Sequence, residues 1–359
     1  MQIVRLRMYQ LIYCSVSSRL CNHGRTKVAE KEKGPPAPTL TPPEKRQELI
    51  GHGDAQGRIA QMIDAGDFTN GWLITGPDGI GKATLAFRAV RQLLNTGNAA
   101  DDSSHRLIAA GAHPDVFVAR RPWIEKTQKF ATEITVDVIR KLTASLANTP
   151  AMGGWRVGLI DTADELNRNA ANALLKVLEE PPARTTLILL AAKPGRLLPT
   201  IRSRCRRIDL RPAQDSEIAP FVAREAGIDL DAAAEIARAA GGRAGFALRL
   251  AVDDGLKAVR LLDNFFSASH AGRMPEGASG LVGKGSEGVW PIFTMLLEER
   301  LAQAVIRAAQ DDKADRFRLS QMIDVRDRVI DLLRRCEALN LDRGQVVSSL
   351  ARSLASVKF

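Results

Sequence analysis

The chain has 359 residues, 45% of them hydrophobic, and a formal net charge of +10, a length that suits two or three domains. No apolar run approaches the roughly 20 residues of a membrane-spanning helix. Seven Lys/Arg against two Asp/Glu in residues 1–33 carry half of the charge excess, so the remainder lacks the dense basic stripe of a dedicated DNA binder.

Residues 1–27 are rich in Arg and Ser and contain no acidic residue. That pattern fits an organellar transit peptide or a start assigned too far upstream, and the second reading is preferred. Residues 28–46 are charged and proline-rich, which predicts a disordered lead-in and makes residues 1–46 an extension. Structure is expected to begin near residues 49–53, with His52 in a turn. A helix should follow with Ile59, Met62 and Ile63 on one face.

Residues 72–75 read as a buried strand. The next stretch is Gly76-Pro77-Asp78-Gly79-Ile80-Gly81-Lys82-Ala83-Thr84, and residues 85–94 read as a helix. Strand, glycine-rich turn and helix form the context of a phosphate-binding loop. Glycines let backbone N–H groups turn toward phosphate oxygens, and the helix N-terminus adds partial positive charge. Lys82 can reach terminal phosphates. The position after the lysine should hold a Ser or Thr hydroxyl for Mg²⁺, and here it is Ala83. Thr84 lies one place further, about 100° around the helix, and is a poor substitute.

Residues 116–119 read as a short strand and residues 120–123 as a basic loop. Thr135 can cap a helix with Val138, Ile139, Leu142 and Leu146 on its apolar face. Residues 155–161 form an apolar strand ending in Asp161. That is the Walker B layout, whose carboxylate holds the metal's water shell; a strand-end cap is the equal alternative. Leu174, Val177 and Leu178 mark a helix stopped by Pro181-Pro182, and residues 186–191 form another buried strand. The alternation predicts a parallel sheet. Residues 198–207 read Leu-Pro-Thr-Ile-Arg-Ser-Arg-Cys-Arg-Arg.

Four segments together resemble the clamp-loader branch of AAA+ proteins, and within it the delta-prime family. They are the loop at 76–84, the strand through Asp161, the run 171–182 and the Ser203-Arg204-Cys205 stretch. The resemblance spans roughly residues 47–250 and, more loosely, the helical C-terminus. It implies an α/β AAA+ P-loop domain with a parallel sheet at 47–210 and a helical lid at 211–252. A linker at 253–288 and an all-helical collar at 289–359 would follow. Met322, Val325, Val329, Leu332, Cys336 and Leu339 recur at helical spacing there. That stripe is ordinary core or, by the resemblance, partly a surface that packs subunits into a ring.

The resemblance further implies that Arg204 is an arginine finger reaching a neighbouring subunit's ATP site. A guanidinium's fixed fork suits a γ-phosphate. The alternative is that Arg202, Arg204, Arg206 and Arg207 form a basic rim or touch DNA phosphates. AAA+ ATPases carry a glutamate after the Walker B aspartate; Thr162 stands there. Ala192 replaces a sensor threonine, and Gly245 falls where a lid arginine is expected. Gly76, Gly79, Gly81, Lys82, Thr84 and Asp161 would then form a vestigial nucleotide site. No cofactor is required, and the surviving cradle predicts weak ATP or ADP binding. Cys14, Cys21, Cys205 and Cys336 form no CxxC pair, so no metal is expected and free thiols suit a reducing cytoplasm.

The expected role is a non-hydrolysing subunit of a DNA-directed DNA polymerase holoenzyme, a nucleotidyltransferase, itself without ATPase or polymerase activity. The expected partners are clamp-loader ATPase subunits and a delta subunit in a hetero-oligomer, with the sliding clamp and primed DNA reached through the complex and no membrane. The alternative is an autonomous AAA+ ATPase.

Overall fold

A computed structural model describes residues 40–357 apart from Asn70, 96–101, Gln128, Asp253, Gly272, 274–277, Lys284 and 312–314. The expectations for residues 1–39 lie outside the described residues. The chain divides into two compact units. Among the described residues, the first holds 40–221 with 241–246 and the second 222–240 with 247–357.

The first unit is built on five parallel strands. They are β1 (Gly71–Thr75), β2 (Val116–Ala119), β5 (Arg156–Ile160), β6 (Thr185–Ala191) and β7 (Cys205–Asp209), and the sheet order is β2-β5-β6-β1-β7. A two-stranded hairpin, β3 (Trp123–Ile124) with β4 (Lys129–Phe130), follows β2 and is closed by an edge-to-face Trp123–Phe130 pair. The basic loop expected at 120–123 therefore runs into a strand. The central strands β1 and β6 are buried along their whole length, as strands covered on both faces must be.

Alternation sorts the side chains into two cores. Trp72, Ile74, Ile188 and Leu190 meet α1 (Gly53–Asp64) and α2 (Lys82–Asn95) on one face, while α3 (Asp102–Ala109) adds Ile108. Leu73, Leu187 and Leu189 meet α4 (Val136–Leu146) and α5 (Arg168–Glu179) on the other. Thr135 is the N-cap residue of α4, but its side chain makes no capping hydrogen bond. Helix α5 has a working cap, in which Asn167 accepts from Ala170 N–H. It ends at Glu179, as the prolines at 181 and 182 require. A short helix, α6 (Pro199–Arg202), leads into the edge strand β7.

The segment expected to be a disordered lead-in is partly ordered. Arg91 donates to Glu44 O and Arg46 O, each at 2.9 Å, and Arg88 donates to Gln47 O at 2.8 Å. Three carbonyls of a strap that opens on a turn at 43–45 are thus satisfied by α2 guanidinium groups, a long-range pairing that composition does not reveal.

The division between units falls inside α7 (Asp215–Ala226) and α9 (Ala244–Ala251), with α8 (Leu230–Ala240) between them. The expected lid is therefore shared between the two units. The second unit adds α10 (Gly255–His270), α11 (Ser279–Val282), α12 (Val289–Gln310), α13 (Arg316–Leu339) and α14 (Arg343–Ala355). The expected linker at 253–288 contains α10, whose Ala258, Val259, Leu262, Phe265 and Phe266 are buried. The glycines and serines that suggested a linker begin only after those apolar residues. Phe265 packs edge-to-face on Phe293 at 5.4 Å. In the α13 stripe Met322, Val325, Val329 and Cys336 are buried, Leu333 is buried rather than Leu332, and Leu339 is 63% exposed.

Candidate nucleotide cleft and rim arginine

The glycine-rich loop leaves β1 and enters α2, as its sequence requires. Gly79 and Gly81 take φ of +79° and +117°, conformations that glycine adopts without strain. Lys82 opens α2 with its side chain 10% exposed. Its Nζ donates to Gly76 O at 2.7 Å and Pro77 O at 3.0 Å, and Asp78 Oδ1 lies 3.6 Å away. The ammonium is turned back onto its own loop. Burial lowers the Lys82 pKa, and Asp78, Asp164 and Asp161 only partly offset that. Thr84 is buried on α2.

Asp161 follows β5, where the strand motif places it. Its Oδ2 accepts from Arg120 Nε at 3.1 Å, and the other end of Arg120 forks onto Glu44 at 3.4 and 3.2 Å. Burial opposes the charge on Arg120, but Asp161 first and then Glu44 outweigh it and raise its pKa. Burial also pushes the Glu44 carboxyl up, yet hydrogen bonding and charge from Arg120 leave it below the usual carboxylate range. The guanidinium has the charge and the donors to satisfy the carboxylate that a metal's water shell would otherwise use.

The neighbouring groups are also engaged within the chain. The Thr162 hydroxyl donates back to Asp161 O, in a left-handed residue with φ +66°. The Asp164 carboxylate accepts from Ala192 N–H at 3.1 Å and Lys193 N–H at 3.2 Å, tying the turn after β5 to the end of β6. His52 Nε2 lies 2.9 Å from Ile80 O; a carbonyl only accepts, so this nitrogen carries the proton. Gly245 donates to Gly79 O at 2.8 Å, with Phe246 N–H at 3.3 Å from the same oxygen. A Cβ at 245 would stand 2.9 Å from Gly79 O. The first amides of α9 are thus bonded to the loop itself, at the place where a lid arginine was expected.

These residues do not fit a hydrolysable metal–nucleotide. One metal ligand is a methyl group at Ala83, the other is ion-paired, and Thr162 faces its own backbone. The loop glycines and Lys82 share one turn, and Asp161 lies near enough to act on the Lys82 charge while pairing with Arg120. Arg120, Glu44 and Asp164 were missed. Arg120 carried a signal, since it directly follows a strand parallel to the one that delivers Asp161.

Arg204 lies apart from this cleft constellation, between α6 and the edge strand β7. Its side chain is 35% exposed, donates from Nη1 to Thr200 O at 3.0 Å, and pairs through Nη2 with Glu179 Oε1 at 2.6 Å. Arg206 forks onto Asp67 and stacks over Trp72, while Arg207 bonds Asp209. Each of these three arginines therefore has a carboxylate of its own chain.

A family model described as "DNA polymerase III, delta subunit" matches residues 51–214. The chain is 41% identical over 155 residues to the DNA polymerase III subunit delta-prime of Pseudomonas aeruginosa, a match covering 42% of this chain and 45% of that one. It is 33% identical over 206 residues to the delta-prime subunit of Escherichia coli, covering 56% and 60% respectively. The chain thus spans about half the length of these curated relatives. A solved gamma-subunit-related protein of DNA polymerase III from Thermotoga maritima superposes with a TM-score of 0.44 at 17% identity, covering 85% of this chain and 99% of that one. The strand order and the sequence matches carry the assignment without that superposition. Residues 51–214 thus match the DNA polymerase III delta family, and over about half its length the chain is similar to the delta-prime subunits of the clamp-loader AAA+ family.

Proposed function

We propose that this chain is a clamp-loader subunit of a DNA polymerase III holoenzyme that does not itself turn over ATP and that presents Arg204 to the ATP site of a neighbouring subunit. The observation that carries this reading is the Arg120–Asp161 ion pair, which gives the remaining metal-binding carboxylate to a side chain of the same protein. Ala83 and Thr162 remove the other two catalytic contributions. Arg204, by contrast, stands at the rim beside the sheet's edge strand with the chemistry for a phosphate. The partners are ATPase subunits and a delta subunit in a hetero-oligomer, and the sliding clamp and primed DNA are reached through that complex.

The experiment is steady-state ATP turnover by the purified chain with Mg²⁺. Turnover at background is expected. Mg²⁺-dependent turnover that Lys82→Ala abolishes would establish an autonomous ATPase instead.

A further inference from the structure

The sequence places no role on Glu179, yet the fold brings it to Arg204. Gly71 opens β1, and a Cβ there would stand 2.5 Å from Leu178 Cδ2 and 3.1 Å from Cys205 Sγ. Because Gly71 has no side chain, Leu178 seats its methyl against the strand beside the Cys205 thiol. That contact draws the last turn of α5 onto the start of β7. The next residue along α5 is Glu179, and the residue before Cys205 is Arg204. Their pairing at 2.6 Å follows from the packing beneath them.

Both distal nitrogens of Arg204 are turned to its own chain, Nη1 to Thr200 O and Nη2 to Glu179. A phosphate uses that same distal edge when it receives a bidentate fork. Glu179 is an anion at the spot a phosphate must approach, so the carboxylate and the phosphate compete for one guanidinium. The pair is half-open to solvent, with side chains 35% and 49% exposed, and exposed pairs of this kind are weak. A phosphate can therefore displace the carboxylate. We propose that Glu179 is a positioning residue that holds Arg204 folded back on its own subunit until a neighbour's phosphate draws it away. This proposal rests on the finger reading of Arg204.

The test uses the assembled loader reconstituted with the full chain as wild type, Glu179→Gln, Glu179→Asp, Arg204→Ala, and the Glu179→Gln/Arg204→Ala double variant. ATP turnover is measured without clamp or DNA. Removing the latch should raise turnover by up to about fivefold, the ceiling for an exposed pair. The gain should be in kcat with KM unchanged, reversed by Glu179→Asp, and absent in the Arg204→Ala background. Arginine-detected NMR of the free chain adds a readout that packing alone does not move. Slow rotation of the Arg204 guanidinium should be lost in Glu179→Gln. Equal turnover in Glu179→Gln and wild type, beside a clear loss in Arg204→Ala, would overturn the latch and leave the finger standing. No loss in Arg204→Ala would overturn the finger reading and the latch with it.

Discussion

Lys82 has loop carbonyls within its reach, and a phosphate arriving at the loop competes with them for the ammonium. Its ammonium makes bonds to Gly76 O and Pro77 O that any phosphate must break. Binding of ATP or ADP to the free chain is therefore expected to be weak and independent of Mg²⁺, since no hydroxyl stands at position 83. Calorimetry with and without Mg²⁺ checks this, and a Mg²⁺-dependent gain of tenfold or more would contradict it. At the rim, burial pushes the Cys205 thiol up to about 12. At pH 8 its thiolate fraction is then about one in ten thousand, against roughly a quarter for an ordinary thiol. Alkylation mapped by mass spectrometry should leave Cys205 unlabelled until the chain unfolds; labelling of native Cys205 at a free-thiol rate would count against the packing described around Gly71. The missing groups at Ala83 and Thr162 were legible residue by residue, because each is a fixed offset from a motif. The Arg120–Asp161 and Arg204–Glu179 pairs were not, because each joins residues far apart in sequence that only parallel strand pairing and helix packing bring together.

Among the elements, the strap at 44–47 is held by Arg88 and Arg91 of α2 and by Arg120, while the start of α9 is held by the loop itself. The strap depends on charge. The folded Glu44 carboxyl lies below its unfolded value, so its contribution is present above the unfolded pKa of about 4.3 and is lost as pH falls through the lower folded value. Glu44→Gln should therefore destabilise the protein at pH 7 by about 1 kcal/mol, given the partial exposure of Arg120. The difference from wild type should vanish at acid pH below the folded value. Denaturant unfolding at several pH values measures this, and a difference that persists or grows as pH falls would contradict the strap's electrostatic origin. The contact of α9 depends on space. Gly245→Arg introduces the lid arginine of an active ATPase, but its Cβ meets Gly79 O at 2.9 Å. The expected result is a loss of roughly 1–3 kcal/mol from overpacking with no gain in nucleotide affinity. A tighter nucleotide complex in this variant would show that the contact yields to the ligand. The strap and the helix at 255–270 escaped the sequence reading for a common reason. Proline, glycine and serine content was read as disorder, while the arginines of α2 and the buried phenylalanines of α10 supply partners that local composition cannot reveal.

Across the whole molecule, the alternation from β1 through α2, β2, α4, β5 and α5 to β6 was legible because the central strands are buried on both faces and so read as unbroken apolar runs, whereas α3, the β3–β4 hairpin and the edge strand β7 were not. The second unit was legible as helical, but its borders were not. The compact units cut through α7 and α9, whereas sequence reading places borders at composition changes. The account's central claim joins this chain to its neighbours, so the measurement belongs to the assembly. Arginine fingers contribute roughly 10³–10⁵ in rate at one site, and a ring with several sites loses only the share of the site that faces this subunit. The most direct measurement is clamp- and DNA-stimulated ATP turnover of the reconstituted complex carrying Arg204→Ala, with assembly checked by gel filtration and Arg204→Lys alongside. The account predicts full assembly, lowered turnover and poor rescue by lysine, which lacks the fork. Unchanged turnover in a fully assembled Arg204→Ala complex would contradict it and leave Arg204 as a basic residue of the rim.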